Sequence, residues 1–278
     1  MSEAPKPPIS RHELAEIDTT VAHSARVYDY LLGGTNNFAV DREVAELQAA
    51  AIPGGIERSR KDIRANREFL GRAVRYMARE GGIRQFLDLG TGIPNADNVH
   101  GVAQQAAPDA HIVYVDNDPI VLAHAHHLLK STTEGATAYR DVDLRLPQQV
   151  MQLASPTLDF DKPTAVMLVS ILHHIPDSDD PWGIVAQYMD AVPSGSYLVV
   201  SHLTKDVRPQ EMAALEQAPP PDARYMFVLR NRADFTRFFD GLELVDPGVV
   251  TVNRWRPDAD SPVFAEDPAF YCGVARKE

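Results

Sequence analysis

Phe86-Leu87-Asp88-Leu89-Gly90-Thr91-Gly92-Ile93-Pro94 is an apolar run that ends in an acid and a two-glycine turn, and Val113-Tyr114-Val115-Asp116 repeats the apolar run and its terminal acid. Glycines at 90 and 92 let the backbone approach a ligand with no Cβ in the way. Neighbouring strands of a parallel sheet finish on one edge, so Asp88 and Asp116 are expected to share the crevice where open α/β sheets bind ligands. A carboxylate after the second strand suits a ribose, because it accepts two hydrogen bonds from a vicinal diol.

Two nucleotide ligands compete for this pattern. A nicotinamide or flavin dinucleotide fold also has a glycine turn and an acid after its second strand. Its third glycine would fall at Asn95, however, and a pyrophosphate would be repelled by Asp88 just before the turn. A ligand carrying an ammonium and a sulfonium would be attracted instead. The reading therefore favours S-adenosylmethionine or its demethylated product.

The 278 residues are enough for one large α/β domain with an added segment. A formal charge of −12 provides no broad basic field and argues against a nucleic-acid backbone as partner. The one cysteine, Cys272, lies in an apolar strand-like run and reads as a buried, inert thiol. Residues 1–10 carry no apolar signal core, and the longest apolar run, near Ala165 to Leu172, is too short to span a bilayer. The expectation is a cytoplasmic protein with no membrane partner and a homodimer as one expected assembly.

Residues 1–18 read as a proline-rich flexible lead. Residues 19–82 read as a helical cap or lid: a helix over Val21 to Leu32 stopped by Gly33-Gly34, a second near Asp41 to Ala51, and a third near Glu57 to Arg79. The third spaces Ile63, Leu70, Val74 and Met77 on one stripe. Residues 83–278 then alternate short apolar runs with helical segments, as repeated βαβ units do. Strands are expected near 85–88, 111–115, 136–140, 165–170, 196–202, 242–246 and 269–276. Helices are expected near 97–106, 119–130, 146–153, 181–191, 209–217 and 232–239. No helix separates the last two strands, which implies an antiparallel closing hairpin.

Taken together, Ala25-Arg26-Val27-Tyr28-Asp29-Tyr30-Leu31-Leu32-Gly33-Gly34 with Asn37-Phe38, the Asp88 turn, Val115-Asp116-Asn117-Asp118-Pro119, and Phe238-Phe239-Asp240-Gly241-Leu242 through Trp255-Arg256-Pro257 resemble an actinobacterial family. These are S-adenosylmethionine-dependent methyltransferases formerly catalogued as a domain of unknown function, within class I. The resemblance implies a Rossmann-like α/β fold: a seven-stranded, mostly parallel sheet with an antiparallel C-terminal strand, helices on both faces and an N-terminal helical cap. It implies backbone contacts at Gly90 and Gly92 beside the donor's methionine part, Asp116 on the ribose and Asp141 near adenine. It makes Asp88 the acid that fixes the turn or receives the donor's ammonium. The string Tyr139-Arg140-Asp141-Val142-Asp143 leaves 141 and 143 open for the adenine side, while Thr91, Asn117, Val142 and Ser170 are counted with the donor-binding set. Pro94 stands where many class I members have a third glycine; it lacks an N–H and suits the first turn of a helix.

Methyl transfer from a sulfonium needs alignment and exclusion of water, with a base only if the nucleophile must lose a proton. His173 and His174, after the fourth strand, are the candidate bases; the alternative is that one packs around the donor while the other points away. Adjacent histidines without a cysteine cluster do not suggest a metal site. Tyr28, Tyr30, Asn36 and Asn37 are read as a lid at a glycine hinge or, alternatively, a fixed cap. Arg26 suits a surface charge or a substrate carboxylate. The insertion from Pro219 to Arg230, with Arg224, Tyr225, Met226 and Phe227, and the pair Trp255-Arg256 are candidates for the acceptor pocket, with simple packing as the other reading for the tryptophan. An Asn-Pro-Pro-Tyr-like string is absent after the fourth strand, which argues against methylation of nucleic-acid base amines. The expected activity is methyl transfer to oxygen or nitrogen of a small molecule, the alternative a non-catalytic sensor of the donor or its product.

Overall fold

The computed structural model describes residues 18–93, 98–121, 123, 131–217 and 227–278. The lead before Asp18, Pro94, most of the helix expected at 119–130, and Arg224, Tyr225 and Met226 lie outside the described residues; residues 119–121 are helical. Among the described residues, no helix is long and apolar enough to cross a membrane.

Three helices come first, α1 (Ser24–Leu32), α2 (Ala39–Ala50) and α3 (Gly55–Arg79), near the expected positions. Gly33 ends α1 at φ +85°, a conformation that favours glycine, and its N–H caps the carbonyls of Asp29 and Tyr30. Then come β1 (Gln85–Leu89), α4 (Val99–Ala106), β2 (His111–Asp116), β3 (Ala136–Asp141), α5 (Pro147–Ala154), β4 (Ala165–Val169), α6 (Pro181–Asp190), β5 (Tyr197–Leu203), α7 (Pro209–Gln217), α8 (Arg232–Thr236), β6 (Glu243–Leu244), β7 (Val250–Thr251) and β8 (Phe270–Arg276).

The sheet runs β3-β2-β1-β4-β5-β8-β6, with β7 also paired to β8. β1 to β5 are parallel, and β8 is antiparallel to β5, β6 and β7. Among the described residues eight strands stand where seven are expected: the reading at 242–246 shrinks to two residues, and after the turn containing Pro247 and Gly248 the chain adds β7. Proline cannot donate to a ladder, which favours ending the strand there.

Alternation along the strands divides the core between the two faces. Phe86, Ile112, Met167 and Val199 lie against α3 residues Phe69, Ala73 and Met77, while Leu87, Val113, Val166 and Leu198 share the other cluster with Val150, Tyr188 and Phe235. Ile63, Leu70, Val74 and Met77 are all buried, as their spacing predicts. Each such burial contributes roughly 1.5–3 kcal/mol. α3 is thus a full member of the layer over one sheet face as well as a part of the cap.

Winding reverses between β1 and β4, with β2 and β3 on one side and β5 on the other, so the C-terminal ends of β1 and β4 open a crevice. Asp88 is registered opposite Tyr114 and Met167, and Asp116 opposite Asp141.

Candidate active site

The glycine turn is built largely by its own acids. Gly90 and Gly92 have φ of +71° and +67°. The N–H groups of Gly90 and Thr91 donate to the Val115 carbonyl at 2.8 and 3.2 Å. Thr91 Oγ1 donates to Asp88 Oδ2 at 2.8 Å, while Asp116 accepts the Gly92 N–H at 2.8 Å and the Asp118 N–H at 3.0 Å. Asp88 is 4 % exposed, and burial lifts its carboxyl to about 6 against the opposing Thr91 hydrogen bond and Arg67 charge, with Asp116 adding to the rise. Such a carboxylate is suited to a cation. A Cβ at Gly90 would stand 2.3 Å from Ile171 Cγ1. Gly90→Ala is therefore expected to displace the turn and cost about 2–4 kcal/mol from overpacking plus backbone strain, read as a lower urea midpoint.

Asp118, two residues beyond the expected acid, fastens the cap to this edge. His23 Nδ1 lies 2.8 Å from Asp118 Oδ2. Burial opposes charging of His23, but the hydrogen bond and charge of Asp118, helped by Asp116, raise it overall; burial likewise opposes ionisation of Asp118, yet His23, the Ile120 N–H and Arg26 hold it low. Arg26 is not a surface charge: it is 4 % exposed, donates to the carbonyls of Asp18 and Val21, sits 3.6 Å from Asp41 and borders the cavity.

The Gly33–Asn37 turn is held by Asp29, whose Oδ2 accepts the Asn36 N–H and Asn37 Nδ2, each at 2.8 Å. Tyr30 donates to Glu46 and faces Arg60. Tyr28 lines the cavity below, whereas Tyr30, Asn36 and Asn37 do not. Asp29 thus fastens the turn in this structure.

At the adenine end expected from sequence, Asp141 is exposed and Val142 and Asp143 line the cavity, together with Asn117. Alternation turns 141 and 143 differently from 142, but the chain has left β3 by then and Asp143 bends inward. Burial opposes its ionisation, yet hydrogen bonds from the Arg145 side chain and N–H hold its carboxyl low.

β4 gives way to Ser170, a non-glycine residue at φ +62°, followed by a short 3₁₀ turn over Leu172–His174. His173 and His174 both line the cavity, with ring centroids 4.4 Å apart. His173 is buried, and desolvation, with smaller contributions from His174, His202 and Arg230, keeps it neutral far below the ordinary imidazole range. The turn is clamped from behind by Arg230, which donates to the carbonyls of Leu172 and Ile175 at 3.0 and 2.9 Å and to Asp177 at 2.6 Å. Arg230 also lies 2.7 Å from His202 Nε2. Neither Arg230 nor His202 carries a local motif that would have marked it.

Of the two readings of Trp255, the structure shows packing and not the acceptor pocket. The tryptophan is fully buried, its ring edge-on to Phe69 and Tyr76 at 5.5 and 5.7 Å, and it does not line the cavity. Arg72 holds the same loop to α3 through the carbonyls of Trp255 and Val252. Arg256 instead lies over Tyr76 and pairs with Glu80. Cys272 is buried, and burial raises its thiol far above the ordinary value.

A cavity of about 790 Å³ joins these parts, from Asp88, Gly92, Asp116 and Val142 past Tyr28 and the histidines to an apolar end at Ile52, Met212, Leu215, Phe227 and Phe270. Its volume is in the upper part of the usual ligand-pocket range, roughly 300–1,000 Å³. Asp88 and Asp116 place a buried and a half-buried carboxylate at one end of it, and a zwitterionic, cationic nucleoside fits that chemistry. Such a sheet, with an antiparallel strand inserted beside β5 and an acid-bearing cavity at the switch, defines a class I methyltransferase architecture.

A family model for S-adenosyl methyltransferases matches residues 10–278, and the chain belongs to that family. S-adenosylmethionine is its cofactor. The structure is similar to that of a DUF574 family protein from Streptomyces avermitilis MA-4680, with 43% identity over 95% of this chain and 100% of the other and a TM-score of 0.88. It is also similar to a protein from Thermobifida fusca YX that carries a methyltransferase designation, with 37% identity over 94% and 97% of the two chains and a TM-score of 0.83. No curated protein matches the chain.

Proposed function

We propose that this protein transfers a methyl group to oxygen or nitrogen of a small molecule held at the apolar end of the cavity. The observation that carries the reading is the continuity of that chamber: the carboxylate-lined end and the apolar end are one space. A sensor would have less use for the second half. The net charge of −12 supports a small acceptor over nucleic acid.

Bound S-adenosylmethionine supplies an electrophilic methyl on a sulfonium, open to in-line attack. In the proposed arrangement Asp88 faces the ammonium, and Asp116, whose two oxygens each accept one backbone N–H, keeps acceptor sites for the ribose hydroxyls. Val142 and Asp143 border the base, and Gly90, Thr91 and Gly92 keep the backbone close to the methionine part. His174, half-buried beside the neutral His173, takes a proton from an acceptor that must lose one. The cap anchored by His23 and Asp118 keeps water out.

Titration calorimetry with S-adenosylmethionine and S-adenosylhomocysteine tests the donor site. Asp116→Ala should weaken both by at least tenfold, about 1.4 kcal/mol, with folding checked by circular dichroism. An acceptor screen reading S-adenosylhomocysteine release then tests turnover. Absence of binding heat from either ligand in folded wild-type protein would sink the proposal.

A further inference from the structure

A buried chain of hydrogen bonds fixes the direction of one hydroxyl in the cavity. Ser170 N–H is shared between the Ser201 carbonyl at 3.1 Å and Ser201 Oγ at 3.0 Å; Ser201 Oγ lies 2.6 Å from Asn66 Oδ1; and Asn66 Nδ2 lies 3.0 Å from Tyr28 OH. Ser201 and Asn66 are fully buried. Ser201 Oγ accepts from the amide and donates its own proton to Asn66 Oδ1 at 2.6 Å. This sets the Asn66 amide so that its NH₂ donates to the Tyr28 oxygen. A flipped Asn66 would give Ser201 Oγ two donors and leave its proton stranded in the interior.

Tyr28 therefore receives a hydrogen bond and must send its own proton elsewhere. Its ring lines the cavity, and among the described residues its O–H has no acceptor. Burial, more than the opposing Arg67 charge and Asn66 bond, raises the phenol above its ordinary value, so it stays a donor. The neighbouring α3 residue, Arg67, also lines the cavity, and its positive charge acts on Tyr28 and Asp88 alike. A fixed O–H donor in a cationic field favours an anion. It would hinder a nucleophile by engaging the lone pair needed for attack.

We infer that Tyr28, aimed by the Ser170–Ser201–Asn66 chain, donates to the carboxylate of the cofactor's methionine part, opposite the ammonium facing Asp88. This rests on the donor lying in the cavity as proposed above. A hydrogen bond to a charged group is worth roughly 10- to 100-fold in affinity.

The test is calorimetry of wild type, Tyr28→Phe and Asn66→Asp with two probes: S-adenosylhomocysteine, which has the carboxylate, and 5′-methylthioadenosine, which lacks the amino-acid end. Tyr28→Phe should weaken S-adenosylhomocysteine at least tenfold and leave methylthioadenosine within twofold. Asn66→Asp replaces the donor facing Tyr28 by an acceptor and turns the phenolic proton inward; it should reproduce the selective loss with Tyr28 intact, which a loosened cap would not. Equal weakening of both probes, or unchanged S-adenosylhomocysteine affinity in folded Tyr28→Phe, would overturn the inference. Failure of wild type to bind either probe would overturn the donor-site reading itself.

Discussion

Asp88→Asn is expected to make the free protein more stable and its donor site worse. The folded-state Asp88 value of about 6 lies above the ordinary 3.8, so over that interval the unfolded chain binds fewer protons and stability falls as pH rises from about 3.8 to about 6. The full difference corresponds to about 3 kcal/mol above pH 6. Asparagine keeps an oxygen for the Thr91 hydroxyl and removes the charge, so a gain of about 1–2 kcal/mol is expected in urea unfolding at pH 7.5, shrinking towards zero by pH 4. Donor affinity should fall by at least tenfold in the same variant. In wild type, affinity should weaken as pH drops through about 6, because only the ionised carboxylate attracts an ammonium. A destabilised Asp88→Asn with unchanged pH dependence of unfolding would rule out a strained carboxylate.

Arg230→Met should be among the most damaging single changes. It removes four bonds at once, leaving the Leu172 and Ile175 carbonyls, His202 Nε2 and Asp177 without their donor, and it ends stacking on Trp182 and Phe238 at 5.1 and 5.6 Å. A loss of about 3–5 kcal/mol is expected, on the order of 10 °C in a chain of this size. Lysine should rescue little, since an ammonium has three donors and no planar fork. His202 gives an independent signal. Burial and, second, the Arg230 charge depress it to about 3, so its NMR titration should move upward in Arg230→Met. An unmoved His202 titration and an intact unfolding midpoint would deny the clamp.

The glycine turn, the strand ends and the α3 stripe were legible because each is a local signal: positive-φ glycines, a period of two, a period of 3.6. The binding of the cap was not. Tyr28, Asn66, Ser170 and Ser201 come from four separate elements, and nothing in the serines or asparagine marks them before tertiary packing joins them. His23 and Asp118 pair across the chain in the same way. Trp255 stayed open between pocket and packing, since an aromatic beside an arginine reads the same over a pocket or against the back of a sheet, and only α3 residues Phe69 and Tyr76 decide it. At 141–143 the strand ends, so alternation no longer says which acid turns inward.

The place of β8 has a consequence for how the molecule is made. It is the last of the eight strands in the chain, yet it sits inside the sheet between β5 and β6, and β7 hangs from it. On a ribosome, Tyr197–Leu203 would emerge with one edge open, five of its seven residues apolar, and wait for Phe270–Arg276 before that edge could close. Premature termination or a nick before Phe270 would thus leave a nascent chain with a sticky, uncapped ladder, a substrate for chaperones and for self-association.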